Sequence, residues 1–317
     1  MGIWQAARRW PAVLLVAALA GCAGTPQLAA LRQNAGTLPT QAELAEVPFF
    51  AQETHQCGPA ALAMAAHFAG IAVSPDTLAA QTYLPGREGS LQAEMLAATR
   101  RQGLIAYALE PSLRDLLSEV AAGTPVIVLQ NLGLAALPKW HYAVVIGYDL
   151  EHEEVMLRSG LERRQLLPLY TFEHTWARSG YWAMLALPPS RLPATAKENR
   201  YVLAALALEQ TGQLRSAQAA YRTALGRWPD NLTARMGLGN TAYALGELKL
   251  AEQAFREAAA AHPNEWAPLN NLAQTLADQR RYAEALNIAS QAQALAGLEN
   301  PAAAETLREI LQRAGRR

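Results

Sequence analysis

Five positions in the carboxy-terminal part of the chain return at a fixed step. Gly212, Ala217, Tyr221, Ala224 and Pro229 recur 34 residues later as Gly246, Ala251, Phe255, Ala258 and Pro263. A third copy keeps Ala285, Ala289 and Ala292 but has Arg280 in place of the glycine, and small residues at Ala205, Gly239 and Ala273 follow the same step. An Ala-rich helical bundle without repeats has no need of such a register. A two-helix unit stacked on copies of itself does: its small residues let the helices approach closely, and its proline ends each second helix. The segment 198–317 holds about three units, and Pro301 to Arg313 is predicted to cap them.

The period and its residues resemble the tetratricopeptide repeat. That resemblance implies an all-α solenoid whose concave surface binds a peptide or protein partner; the alternative is that the repeats simply brace the domain before them. Residues 189–197 read as a linker, because Pro188, Pro189 and Pro193 fall within six residues.

The 317 residues suffice for two domains, and half are apolar, so a core is readily buried. Twenty-seven basic residues balance 27 acidic ones, with no basic run beyond Arg316-Arg317, which argues against nucleic acid as a partner. Residues 1–22 read as a targeting signal. Arg8 and Arg9 supply positive charge, and Val13 to Ala20 is apolar but too short for a stable membrane-spanning helix. Leu19-Ala20-Gly21-Cys22 resembles the bacterial lipoprotein signal, which implies lipidation at Cys22 and a membrane anchor on the periplasmic side. No aspartate follows Cys22, which favours the outer membrane. The alternative is a plain secretory signal with a coincidental cysteine. Residues 23–46 then read as a tether, part of it helical around Gln27 to Gln33. With Cys22 lipidated, Cys57 is the one remaining thiol in an oxidising compartment, and catalysis would explain it.

From 47 to 188 the signals describe an α+β domain with helices first and strands later. Cys57 opens an apolar helix that stops at Gly70, and Pro59 in its first turn loses no helical bond. The thiol thus sits at a helix N-terminus, where free N–H groups and the dipole favour a thiolate. Ser74, Ser90 and Ser112 are predicted to start further helices. Strands are predicted over Leu104–Leu109, Pro125–Leu129, Tyr142–Tyr148, Val155–Ser159 and Trp182–Leu187.

Gln52-x4-Cys57-Gly58-Pro59-Ala60-x-Leu62, followed 84 residues after the cysteine by His141-Tyr142-Ala143-Val144-Val145-Ile146-Gly147-Tyr148-Asp149, resembles the bacteriocin-processing cysteine peptidase domain. The cysteine-to-histidine spacing is shorter than papain's own, about 130–150 residues. The resemblance implies a compact papain-like fold with Cys57 as nucleophile and His141 as general base, then acid. It makes Gln52 an oxyanion-hole donor beside the Cys57 N–H. These roles suit the chemistry: a thiolate attacks a carbonyl, an imidazolium steadies it, and the oxyanion needs preset donors. The bland alternatives are a small buried cysteine, a satisfied strand-end histidine and a surface glutamine. The chain departs from the family at the third position. Where an Asp or Asn is usual it has Ser159, which leaves Ser159 as a weak orienter, Asp149 as a substitute, or reduced activity. Trp140, Tyr142 and Trp182 are candidates for a substrate groove, though strand aromatics are commonly core.

The remaining histidines share no metal-ligand spacing, and no Gly-rich phosphate loop appears, so neither metal nor cofactor is expected. The resulting expectation is a lipid-anchored cysteine peptidase acting on a peptide or protein substrate, with repeats that recruit a partner. Alternatives are a weak or inactive peptidase-like binding lipoprotein, and an amidase or transpeptidase using the same Cys–His chemistry.

Overall fold

The computed structural model describes residues 24–51, 56–84, 86, 89–134, 136–297 and 300–315. The predicted apolar strand after His141 is the centre of an antiparallel sheet. This strand, β6 (Trp140–Asp149), pairs with β5 (Val126–Asn131) on one side and β7 (Glu154–Ser159) on the other. The sheet extends beyond β5 through β9 (Ala183–Leu187) to β4 (Ile105–Ala108), and beyond β7 to β8 (Glu162–Pro168). β1 (Gln41–Glu43) pairs with the far end of β6.

Alternation along β6 sorts its side chains into two cores. Tyr142, Val144 and Ile146 face one core; Ala143 and Val145 face the other. The first core is closed by α2 (Cys57–Phe68), whose residues from Gly58 to Ala66 are all buried. A run of alanines in that helix leaves little side chain between its backbone and the sheet. The second core is covered by α1 (Pro26–Gln33), α5 (Leu113–Ala121) and α6 (Leu169–Ala177). The expected α+β domain is present.

The segment 24–46 is not a free tether. Leu28 and Leu31 of α1 are buried in the second core, the N–H groups of Gln27 and Leu28 donate to the buried Glu173 carboxylate at 3.0 and 2.7 Å, and β1 joins the sheet. Alanine is its commonest residue, and Leu28 and Leu31, at helical spacing, dock it in the core. Ser90 does not cap a helix either. It lies in β3 (Gly89–Ser90), paired with β2 (Tyr83–Leu84) just after α3 (Pro75–Thr82), and α4 (Gln92–Arg101) starts from Leu91. Ser74 and Ser112 cap as expected, accepting from the N–H groups of Thr77 and Asp115.

The linker is held down. Glu119, fully buried on α5, accepts from the N–H groups of Ala194 and Thr195 at 3.1 and 2.7 Å and from the Thr195 hydroxyl at 2.6 Å. Beyond it α7 (Glu198–Gln210) and α8 (Leu214–Arg227) form the first repeat. Then come α9 (Leu232–Ala244) with α10 (Leu248–Ala261), α11 (Trp266–Asp278) with α12 (Tyr282–Ala296), and the cap α13 (Pro301–Gly315). A Cβ on Gly239 would stand 2.4 Å from the Phe255 ring, the close approach that its small-residue position predicts. Gly212, Gly246 and Arg280 share one left-handed backbone setting, at φ +77°, +76° and +64°. Among the described residues no helix is long and apolar enough to cross a membrane.

Candidate functional site

Cys57 is the first residue of α2, and the first helical bond, Ala60 N–H to Gln56 O, spans it at 3.1 Å. Pro59 lies in the turn whose N–H groups have no helical acceptor, so it costs no bond. The sulfur is half-buried against the first core, within reach of the backbone N–H of Tyr142, the residue after His141.

His141 lies near the start of β6, opposite Gln130 of β5. Its Nε2 is 3.0 Å from Oγ of Ser159, the last residue of β7 and buried. The sheet thus brings together two of the predicted residues across 18 positions of sequence, and the start of α2 brings the third alongside. No hydrogen bond joins the Cys57 sulfur to the imidazole; the ring's bond goes to Ser159. Asp149 is removed as a substitute orienter. It sits eight residues further along β6, about 26 Å at 3.3 Å per residue. There it accepts from the N–H groups of Glu151 and His152 in an exposed turn.

Two arginines, Arg158 buried and Arg178 exposed, fix the frame. Arg158, adjacent to Ser159, donates to the carbonyls of Val47 (3.1 and 2.8 Å), Ala45 (2.9 Å) and Arg163, and so ties the strand to the segment that precedes Cys57. Arg178 donates to the carbonyls of Asn131 and Gly133, while Asn131 Oδ1 accepts from the N–H groups of Gly133 and Lys139. This fixes the loop that delivers His141. Sequence reading missed both arginines, because nothing local marks a guanidinium that will donate to main-chain oxygens far away in sequence. Gln52, His55 and Cys22 lie outside the described residues.

The electrostatics differ from the expected thiolate–imidazolium pair. Burial pushes the Cys57 thiol above its ordinary value, and the N–H groups of Tyr142, Gly58 and Cys57 pull it back only in part. Burial, with the Lys139 charge second, pushes His141 down to about 4. Both groups are therefore neutral at pH 7: desolvation outweighs the helix N-terminus, and the hydroxyl at the third position adds no negative charge. Of the three candidate groove aromatics, Tyr142 is core, its hydroxyl on the Ser90 carbonyl at 3.2 Å and its ring edge-on to Trp182 at 5.7 Å; Trp140 is half-exposed. Among the described residues no cluster of His, Cys, Asp and Glu is arranged to hold a metal.

Residues 44–184 match the model of the Peptidase_C39 like family, and residues 202–266 that of the Tetratricopeptide repeat. The chain carries a C39-like peptidase domain followed by tetratricopeptide repeats. No curated protein matches it. The C39-like domain is similar to a structure described as a C39-like peptidase from Bacillus anthracis: 22% identity, TM-score 0.39, covering 46% of this chain and 96% of that one. The repeats are similar to the translocator chaperone SycD of Yersinia enterocolitica (20% identity, TM-score 0.35, 37% of this chain and 93% of that one). They are also similar to the TPR2B domain of yeast Sti1 (17% identity, TM-score 0.36, 38% and 98%). The C39-like match begins at residue 44, in the turn after β1, and ends within β9. It therefore holds Cys57, His141 and Ser159.

Proposed function

We propose that the C39-like domain is a cysteine peptidase using Cys57 and His141, and that the repeats recruit its protein partner or substrate. The observation that carries this reading is the 3.0 Å bond from His141 Nε2 to Ser159 at the head of β6, beside the strand residue whose N–H meets the Cys57 sulfur. With Nε2–H donated to Ser159, the tautomer leaves Nδ1 unprotonated as the base. Neutral His141 takes the thiol proton as sulfur adds to the scissile carbonyl. The Cys57 N–H and the Gln52 side chain stabilise the oxyanion. The intermediate collapses to a thioester as the imidazolium gives its proton to the departing amine. Water, deprotonated by the same imidazole, then releases the acid and restores the thiol. Ser159 holds the ring without charging it.

The amino-terminal sequence supports lipidation at Cys22 and a place on the periplasmic face of a bacterial membrane, the outer membrane in particular. A second reading, a weak or inactive peptidase-like binding lipoprotein, is favoured by the serine at the third position and by the neutral resting pair.

Alkylation of Cys57 by iodoacetamide across pH tests the pairing. Above pH about 4, where His141 is neutral, the wild-type chain is expected to react about 10²-fold faster than His141→Ala, the low end of what a positioned base contributes. Below that pH the imidazole is protonated and the advantage disappears. Superimposable profiles would refute the pairing.

A further inference from the structure

Eleven large apolar side chains are exposed among the described residues, and four of them fall within nine positions: Leu132, Leu134, Leu137 and Trp140. They stand where the chain passes from β5 into β6. Leu134 and Leu137 are the barest of the four, at 71% and 77% exposed. A single exposed leucine needs no explanation, whereas a cluster marks a surface that something covers.

The cluster stands on a braced base. The Leu132 N–H donates to the Lys139 carbonyl at 2.9 Å and closes the neck, and at the tip the Leu137 N–H donates to the Leu134 carbonyl at 3.2 Å. Asn131 and Arg178 brace the same neck. A Cβ on Gly133 would stand 2.4 Å from the Leu137 carbonyl oxygen, so glycine is what lets the two arms close this tightly. The leucines therefore project outward instead of folding back on the sheet.

Charge and order narrow what covers them. From Thr124 to Tyr148 the sequence has no Asp or Glu, and Lys139 is its one Lys or Arg. Lys139 and Trp140 are exposed at the base of the leucines. An apolar tip with indole and ammonium beneath it matches the layers of a bilayer: acyl chains, then the interface that favours tryptophan, then anionic headgroups.

The amino-terminal attachment points to the same place. Cys22 precedes Gln27 by five residues, at most about 18 Å of extended chain. Gln27 and Leu28 are fixed to Glu173 on α6. Arg178 follows five residues later, just past the helix and about 7.5 Å along its axis, and it carries the neck of the leucine cluster. A lipid on Cys22 would hold the bilayer within reach of the leucines, which a free tether would not do.

We propose that Leu132, Leu134, Leu137 and Trp140 form a membrane-docking surface that enters the interface of the bilayer in which Cys22 is anchored. This rests on the reading that Cys22 is lipidated, and adds that the C39-like domain lies against the lipid with the His141 end of β6 turned toward it.

The test uses the full chain, produced in a bacterial host and reconstituted in vesicles of phosphatidylethanolamine and phosphatidylglycerol, a share of them brominated on the acyl chains. Tryptophan quenching is compared in the wild type, in Trp140→Phe and in a Leu134→Ser/Leu137→Ser variant; the other tryptophans cancel in the difference. Brominated lipid is expected to quench the wild-type emission, with that component lost in Trp140→Phe and weakened in the serine variant. Equal quenching in the wild type and Trp140→Phe overturns the proposal, and so does Trp140 quenching that the two serines leave unchanged. If the leucines instead grip a substrate or a second copy, Trp140 escapes the bromines while the serines alter the KM of cleavage or the sedimentation of the chain, and either result overturns it. The mass of the purified chain reports lipidation of Cys22 separately. For an unlipidated chain the same quenching is read with residues 1–22 replaced by a histidine tag held on a nickel-chelating lipid, so the anchor and the docking surface fail independently.

Discussion

The His141 imidazole owes its low pKa to burial and to the company it keeps. A serine hydroxyl 3.0 Å from Nε2 fixes orientation and tautomer but supplies no negative charge. A carboxylate at the same place would favour the imidazolium. Ser159→Asp is therefore expected to raise the His141 midpoint, read by NMR titration of its ring, by about 2 pH units from about 4. An unmoved midpoint would show that Ser159 does not govern the ring. At this scale the sequence was informative about identity and silent about state. Cys57, His141 and Ser159 were picked out by the resemblance to the processing peptidases, and the fold places His141 against Ser159 with Cys57 beside the next strand residue. The direction in which their environments push them depends on burial from elements far apart in the chain, and no local pattern records that.

Secondary structure was legible wherever a helix carries its own boundary signals. Ser74 and Ser112 start helices through their side chains, and the repeat register fixed every helix of the solenoid in turn. β8 was not legible: its exposed run Glu162-Arg163-Arg164 reads as polar loop, and it forms a strand because β7 offers an edge to pair with. The third repeat shows the same principle. Arg280 takes the left-handed setting that glycine takes in the first two repeats. The Arg280 N–H donates to Ala277 O at 2.9 Å and the Arg281 N–H to Leu276 O at 3.0 Å, closing the helix as Gly246 and Glu247 close theirs. A non-glycine residue pays about 1–2 kcal/mol for that backbone, offset in part by the freedom glycine gains in the unfolded chain. Arg280→Gly is expected to stabilise the protein by about 0.5–1 kcal/mol, seen as a higher midpoint in urea. An unchanged or lower midpoint would contradict this account of the repeat end.

The two halves do not hang on a flexible joint. Tyr107, Leu185 and Leu187 of the sheet share one hydrophobic core with Tyr201, Ala205 and Leu208 of the first repeat, and Glu119 pins the linker over it. Tyr107 adds a further tie, its hydroxyl oxygen accepting from the Lys197 N–H at 3.0 Å. On the proposed function, a polypeptide held by the repeats would be held at a set distance from Cys57, so that binding energy far from the chemistry becomes orientation at the scissile bond. The linker's prolines mark its position but not this docking, because the carboxylate that holds it comes from a helix 75 residues earlier. The most direct test of the whole account is cleavage of a peptide library by the full-length chain, read by mass spectrometry beside Cys57→Ala. The account predicts discrete cleavage products that vanish in the variant. Products that persist in Cys57→Ala, or no products from the wild-type chain, would contradict it.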